Sequence, residues 1–341
     1  MCIRDRYSPA KYGILTELLP PEKLVAANGW IEGLTVGSII MGTVLGGVLI
    51  SSTVSQSLLS FDMPAIDTCI DTPAESAIMI IMTIYVIAAL INLRIPDTGA
   101  RYVTQKTNPV ELVKDFAVCF KTLWNDRLGQ ISLAVTTLFW GAGATLQFIV
   151  IKWAQVALHM SLSQGAILQA ISAVGVAGGA VWAAWRVPLR HSLSVLPYGI
   201  AMGLVVCVMA VYNSNMLPNS VLWTVGKLQV NLNLIPAYFL LILVGWLAGY
   251  FVVPMNALLQ HRGHVLMSAG HSIAVQNFNE NISVLVMLLV YSLLIWLDAS
   301  VQYVIIGFGI TVSFIMWMVI KRHAANQAEY DSMHLIGEHK H

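Results

Sequence analysis

The side chains with the most chemistry to offer stand together at Gln276-Asn277-Phe278-Asn279-Glu280-Asn281, inside a stretch (263–297) in which Glu280 is the sole Asp, Glu, Lys or Arg. At 100° per residue, Gln276, Asn277, Glu280 and Asn281 share an arc of about 140° on one helix face. A carboxylate flanked by amides can take an ammonium group and replace the water that a polar solute sheds. An interhelical hydrogen-bond clamp uses the same residue types, but it seldom needs four polar side chains including a carboxylate. The face therefore reads as a substrate or gating surface. Glu32 opens a run of 29 residues without Asp, Glu, Lys or Arg. It is either an interfacial acid near a helix start, where the helix dipole favours it, or a second acid of the same cavity. Trp140, Gly141, Gly143 and Gln147 interrupt another apolar run, which ends near Lys152.

Other chemistries find no support. His261, His264 and His271 straddle a loop beside Arg262, without an HExxH pattern or nearby carboxylates, so no metal site is expected. The sequence has no GxSxG elbow, no phosphate-binding loop, no dinucleotide fingerprint and no acyltransferase-type His-x4-Asp. No catalytic residue and no cofactor are therefore expected. Cys2, Cys69, Cys119 and Cys207 form no CxxC pair, which suggests neither a disulfide framework nor a zinc site. The formal charge of +1 leaves no electrostatic footprint for nucleic acid.

The elements that must hold these residues follow from the apolar patterning. Only 10% of the 341 residues are charged and 57% are apolar, against about 25% charged in soluble domains. Charge-poor windows predict eight membrane-spanning helices, at 29–50, 76–94, 130–151, 165–185, 193–212, 235–256, 269–296 and 300–320. Sixteen of the 18 Lys and Arg residues fall in connections on one side of the resulting topology, with only Lys152 and Lys227 on the other. The rich side, including the C-terminus, is expected to be cytoplasmic. Within that side, Asn108-Pro109-Val110-Glu111 predicts a helix start. Val113, Phe116, Phe120, Leu123 and Trp124 then give an amphipathic helix for the inner membrane surface. Glycines four apart, at 33/37, 42/46, 175/179 and 245/249, predict close helix packing. Pro254 is expected to kink its helix. The acidic connection 51–75 reads as a solvated loop. The abrupt opening reads as a fragment, with residues 1–6 as a foreign junction.

Several segments identify a family. YSPAKYGILTEL (7–18), LVAANGWIEG (24–33), GTVLGGVL (42–49), LFWGAGATLQF (138–148), YFVVPMNALLQ (250–260) and AVQNFNENISVLVMLLVYSL (274–293) resemble the lysophospholipid transporters of Gram-negative bacteria. That resemblance implies an all-α integral membrane protein of the major facilitator superfamily, with about eight of twelve helices present. It also implies the organisation: 7–94 ends an N-terminal half-bundle, 95–129 is a cytoplasmic linker, 130–322 is the C-terminal half-bundle and 323–341 a cytoplasmic tail. The implied function is flipping of lysophospholipids from the outer to the inner leaflet of the inner membrane by alternating access, linked to reacylation by an acyltransferase. Lys11, Glu32, Asn256, Gln276, Asn277, Glu280 and Asn281 fit the family pattern, with Lys11 a partner for the lipid phosphate and Glu280 or Glu32 for its amine. Trp140 and Gln147 complete the expected substrate-binding set, although Gln147 stands where the family usually carries arginine. His261 replaces a family glutamate, and His271 an asparagine. Two rival readings keep the same architecture: a general exporter of drugs or metabolites, and a membrane scaffold for an acyltransferase without transport.

Overall fold

A computed structural model describes residues 12–50, 72–99, 108–160, 162–213, 222–225 and 228–337. The backbone is almost wholly helical, as lipid requires of a chain that must satisfy its own peptide groups. We number the long helices α1 (Leu24–Ile50), α2 (Pro73–Asn92), α3 (Pro109–Asn125), α4 (Gly129–Val156), α5 (Leu162–Arg186), α6 (Leu196–Val211), α7 (Ile235–Leu266), α8 (Ala269–Trp296) and α9 (Val301–Glu329). Among the described residues, six helices are long and apolar enough to cross a membrane: α4, α5, α6 with the turn before it, α7, α8 and α9. The protein is therefore a multi-pass membrane protein. Helices α1 and α2 occupy the two remaining expected windows. The connection between α6 and α7 holds something the apolar patterning does not foretell, a short antiparallel hairpin of β1 (Leu222–Val225) and β2 (Leu228–Asn231).

The chain divides into two compact units, Met1–Leu34 with Val103–His341, and Thr35–Tyr102. The smaller unit holds the later part of α1 and all of α2. Helix α2 starts with a reciprocal cap: Glu75 N–H donates to Thr72 Oγ1 at 3.3 Å, and Thr72 N–H donates to Glu75 Oε2 at 2.9 Å. In the larger unit, α4 to α9 enclose a core in which Trp153, Phe251, Met209 and Leu241 are fully buried. The surfaces left uncovered are apolar too, as at Leu285, Leu289 and Trp296 of α8, and this suits a lipid surround. Polar residues within these spans mostly satisfy themselves: Ser132 Oγ donates to Leu128 O at 3.0 Å and Thr145 Oγ1 to Gly141 O at 2.9 Å.

Two of the expected glycine pairs form one seam. A Cβ added at Gly175 or Gly179 would run into the carbonyls of Ile242 and Trp246 on α7, and one at Gly245 or Gly249 into those of Ser172 and Val176 on α5. Only glycine permits two backbones to approach this closely. By contrast, Gly37, Gly42 and Gly46 meet nothing within 4 Å. Helix α7 runs on through Pro254 to Leu266, ten residues past its expected end. The added turns carry Gln260, His261 and Arg262, all buried.

Helix α3 begins where expected, with Asn108 Oδ1 accepting from Val110 N at 3.1 Å. Phe116 and Phe120 then pack edge-on against Phe278 of α8, with ring centroids 5.2 Å and 6.2 Å away. Val113 is 68% exposed, although it shares the aromatic stripe, because it sits a turn before the helix reaches α8.

Candidate functional site

The polar residues of α1, α7 and α8 meet in one buried ladder. Asn28, four residues into α1, is wholly buried and makes a reciprocal amide pair with Gln260 of α7. Its Nδ2 donates to Gln260 Oε1 at 2.8 Å, and Gln260 Nε2 donates back to Asn28 Oδ1 at 3.0 Å. Asn256, one turn earlier on α7, donates from Nδ2 to the same Asn28 oxygen at 3.5 Å. The Oδ1 of Asn256 accepts from Gln276 Nε2 at 2.9 Å, and that nitrogen also donates to Glu280 Oε1 at 2.7 Å. Spacing explains the reach. Asn256 and Gln260, and likewise Gln276 and Glu280, are four apart and so share a face of their helices.

Glu32 continues the face of α1 that holds Asn28. Its Oε1 accepts from Tyr12 Oη at 2.8 Å. Tyr12, Glu32 and Glu280 lie near enough to interact electrostatically. The result is a patch of two carboxylates, a phenol and a string of amides between three helices. It offers acceptors to a cation or to an amine, and no nucleophile with a base beside it.

The other expected residues sit differently. Asn277 is half-buried, and its carbonyl accepts from Asn281 Nδ2 at 2.7 Å, so Asn281 turns back onto its own helix at an exposed position. Trp140 is 42% exposed and packs edge-on against Phe139 at 5.6 Å. Gln147 is exposed, and its carbonyl accepts from Gln169 Nε2 at 2.7 Å. Lys11 lies outside the described residues. Asn28, Gln260 and Tyr12 were not anticipated, although Asn28 and Glu32 repeat the four-residue spacing of Gln276 and Glu280.

Two of the three histidines make structural contacts. His261 Nε2 accepts from Gly337 N at 3.1 Å, and Ser268, which caps α8, contacts His271 Nδ1. No group of three or more metal-ligating residues gathers among the described residues. Next to His261, Arg262 holds Asp126 at the end of α3 by two bonds, Nε to Oδ1 at 3.2 Å and Nη2 to Oδ2 at 2.7 Å. Its Nη1 reaches Leu335 O at 3.3 Å, and Gly129 N donates to Asp126 Oδ1 at 2.7 Å. The pair is buried, with side-chain exposures of 4% and 10%.

The chain as a whole has recognisable relatives. No protein-family model matches the chain. Among solved structures, a bacterial homologue of the iron transporter ferroportin in an outward-facing state matches with a TM-score of 0.54 at 13% identity, covering 91% of this chain and 67% of that one. That likeness carries the fold alone, an all-α bundle of long helices. The lysophospholipid transporter LplT of Escherichia coli O1:K1 is 36% identical over 321 residues, 93% of this chain and 71% of its own length. The protein of the same name from Shigella boydii serotype 4 shows the same figures, and that from Yersinia pestis strain Pestoides F is 37% identical over 296 residues, 86% of this chain and 63% of its own. With more than a third of its residues identical across nearly its whole length, the chain belongs to the lysophospholipid transporter LplT family.

Proposed function

We propose that this protein moves lysophospholipids from the outer to the inner leaflet of a bacterial inner membrane, where an acyltransferase restores the second chain. The observation that carries the reading is the buried ladder ending on Glu280, an acid on a helix whose insertion opposes it by roughly 2.5 to 3.5 kcal/mol, in a chain of this family. A lysophospholipid has one acyl chain, which can stay in lipid, and a headgroup, which needs a polar path. Glu280 and Glu32 would take a headgroup amine, Lys11 the phosphate, and the amides the lost hydration. Asn277, Asn281, Trp140 and Gln147 would line the route. Rocking of the 130–322 bundle against the helices that precede the linker would expose the patch to each side in turn. The 95–129 linker and the C-terminus would be cytoplasmic.

The test is uptake of labelled lysophosphatidylethanolamine into spheroplasts with and without the protein; equal uptake would sink the proposal. The amine contact is tested by Glu280→Gln, which keeps shape and hydrogen bonding but removes charge. It should impair transport of lysophosphatidylethanolamine more than that of lysophosphatidylglycerol.

A further inference from the structure

The chain writes one short pattern twice. Ala26-x-Asn28-x-Trp30-x-Glu32 on α1 and Ala274-x-Gln276-x-Phe278-x-Glu280 on α8 place an amide, an aromatic ring and a glutamate at the same intervals, 248 residues apart. Both amides are buried, and both rings are about half exposed, Trp30 at 54% and Phe278 at 45%. The two copies are not merely alike. Asn256 of α7 sits between them, donating to Asn28 Oδ1 and accepting from Gln276 Nε2.

Asn28 uses its full hydrogen-bond capacity, and Gln276 both of its amide hydrogens. Asn28 spends its two Nδ2 hydrogens on Leu24 O at 2.9 Å and Gln260 Oε1, and both lone pairs of Oδ1 on Gln260 and Asn256. Gln276 spends its two Nε2 hydrogens on Asn256 Oδ1 and Glu280 Oε1. An amide can donate in both directions only if its rotamer and its flip are fixed, and here Asn256 fixes those of Gln276 while Asn28 fixes Asn256. The orientation of the Glu280 carboxylate thus traces back through two amides to a residue on another helix. That helix also carries Glu32, one turn further on.

We propose that Asn28 is a positioning residue: through Asn256 and Gln276 it aims Glu280 at the space shared with Glu32, so that the two acids recognise a headgroup ammonium as one unit. Asn28 touches no substrate in this scheme, and its loss should act through Glu280. The inference rests on the headgroup reading given above, and the experiment separates the two.

The transporter is reconstituted in liposomes, and the ratio of lysophosphatidylethanolamine to lysophosphatidylglycerol transport is measured for wild type, Asn28→Ala, Glu280→Gln and the double variant. Glu280→Gln is expected to lower the ratio about ten-fold, the scale of one lost charge-assisted contact. Asn28→Ala should lower it several-fold, and the double variant should be no lower than Glu280→Gln alone. A merely structural role for Asn28 would slow both lipids alike and leave the ratio unmoved, which overturns the proposal. Effects that multiply in the double variant overturn it as well, since they mean independent action. An unmoved ratio in Glu280→Gln refutes the headgroup reading, and the inference falls with it. If Asn28→Ala fails to give a monodisperse protein, Asn256→Ala cuts the same relay while leaving the Asn28–Gln260 pair, and the same three criteria apply.

Discussion

Replacing Asp126 by asparagine should damage the protein far more than the size of the change suggests. The Arg262 side chain is 4% exposed and gives Asp126 two hydrogen bonds, with another to the carbonyl of Leu335. Asparagine keeps an acceptor for Gly129 N and the shape of the side chain, but it removes the negative charge that two hydrogen bonds hold against a buried guanidinium. Breaking one side of such a pair costs about 3 to 5 kcal/mol, whereas removing both charges is often neutral. Asp126→Asn and Arg262→Met should therefore each lower the detergent-solubilised Tm strongly. The double variant should recover most of the loss, giving a coupling energy of roughly 3 kcal/mol or more. The assay is thermal unfolding followed by size-exclusion fluorescence, at two salt concentrations. A buried pair is weakly screened, so the single-variant penalties should hardly change with salt. Penalties below about 1 kcal/mol, or a double variant equal to the sum of the singles, would refute the reasoning and class the pair with exposed ones.

Further outcomes follow from other features. Gly179→Val should destabilise the α5–α7 seam by at least about 1 to 3 kcal/mol, because its side chain must displace the Trp246 carbonyl, while Gly37→Val, with nothing within 4 Å, should be tolerated; surface expression and Tm report both. Burial, and secondarily the nearby Asp115 carboxylate, push the Cys119 thiol above its ordinary value, leaving less thiolate at neutral pH. Maleimide labelling there should be slow at pH 7 and quicken as pH rises, and Asp115→Asn should speed it at fixed pH. With Cys69 replaced, Cys119 should resist an impermeant thiol reagent added outside intact cells; ready labelling would reverse the proposed topology.

The helices were legible because long charge-free runs admit few other structures in lipid. Gln276 and Glu280 announced themselves by standing in such a run. Asn28 and Gln260 did not. Asn28 stands just before the expected span at 29–50, outside the charge-free window, and only its distant contact with Gln260 draws it into the site. The helical arc divides in the structure. Gln276 and Glu280 lie about 40° apart and bond each other, with Gln276 reaching Asn256 of α7, while at the far edge of the arc Asn281 bonds the carbonyl of Asn277. Arg262 looked like a loop residue because α7 was expected to end at 256. Ten more helical residues bury it against Asp126, 136 positions away, a pairing that no local pattern encodes.

The interlocked glycines of α5 and α7 also constrain mechanics. Each helix presents carbonyls where the other has no side chain, at four successive levels, in the manner of two meshed racks. A glide along the common axis would ride carbonyl oxygens over Cα atoms, and separation would forfeit the close backbone packing that glycine permits. The pair is thus stiff in both directions and behaves as a single strut. Any displacement at the His261–Arg262 end of α7 must reach the far end of α5 undiminished, and the compliance needed for a working cycle has to reside in seams held by side chains instead.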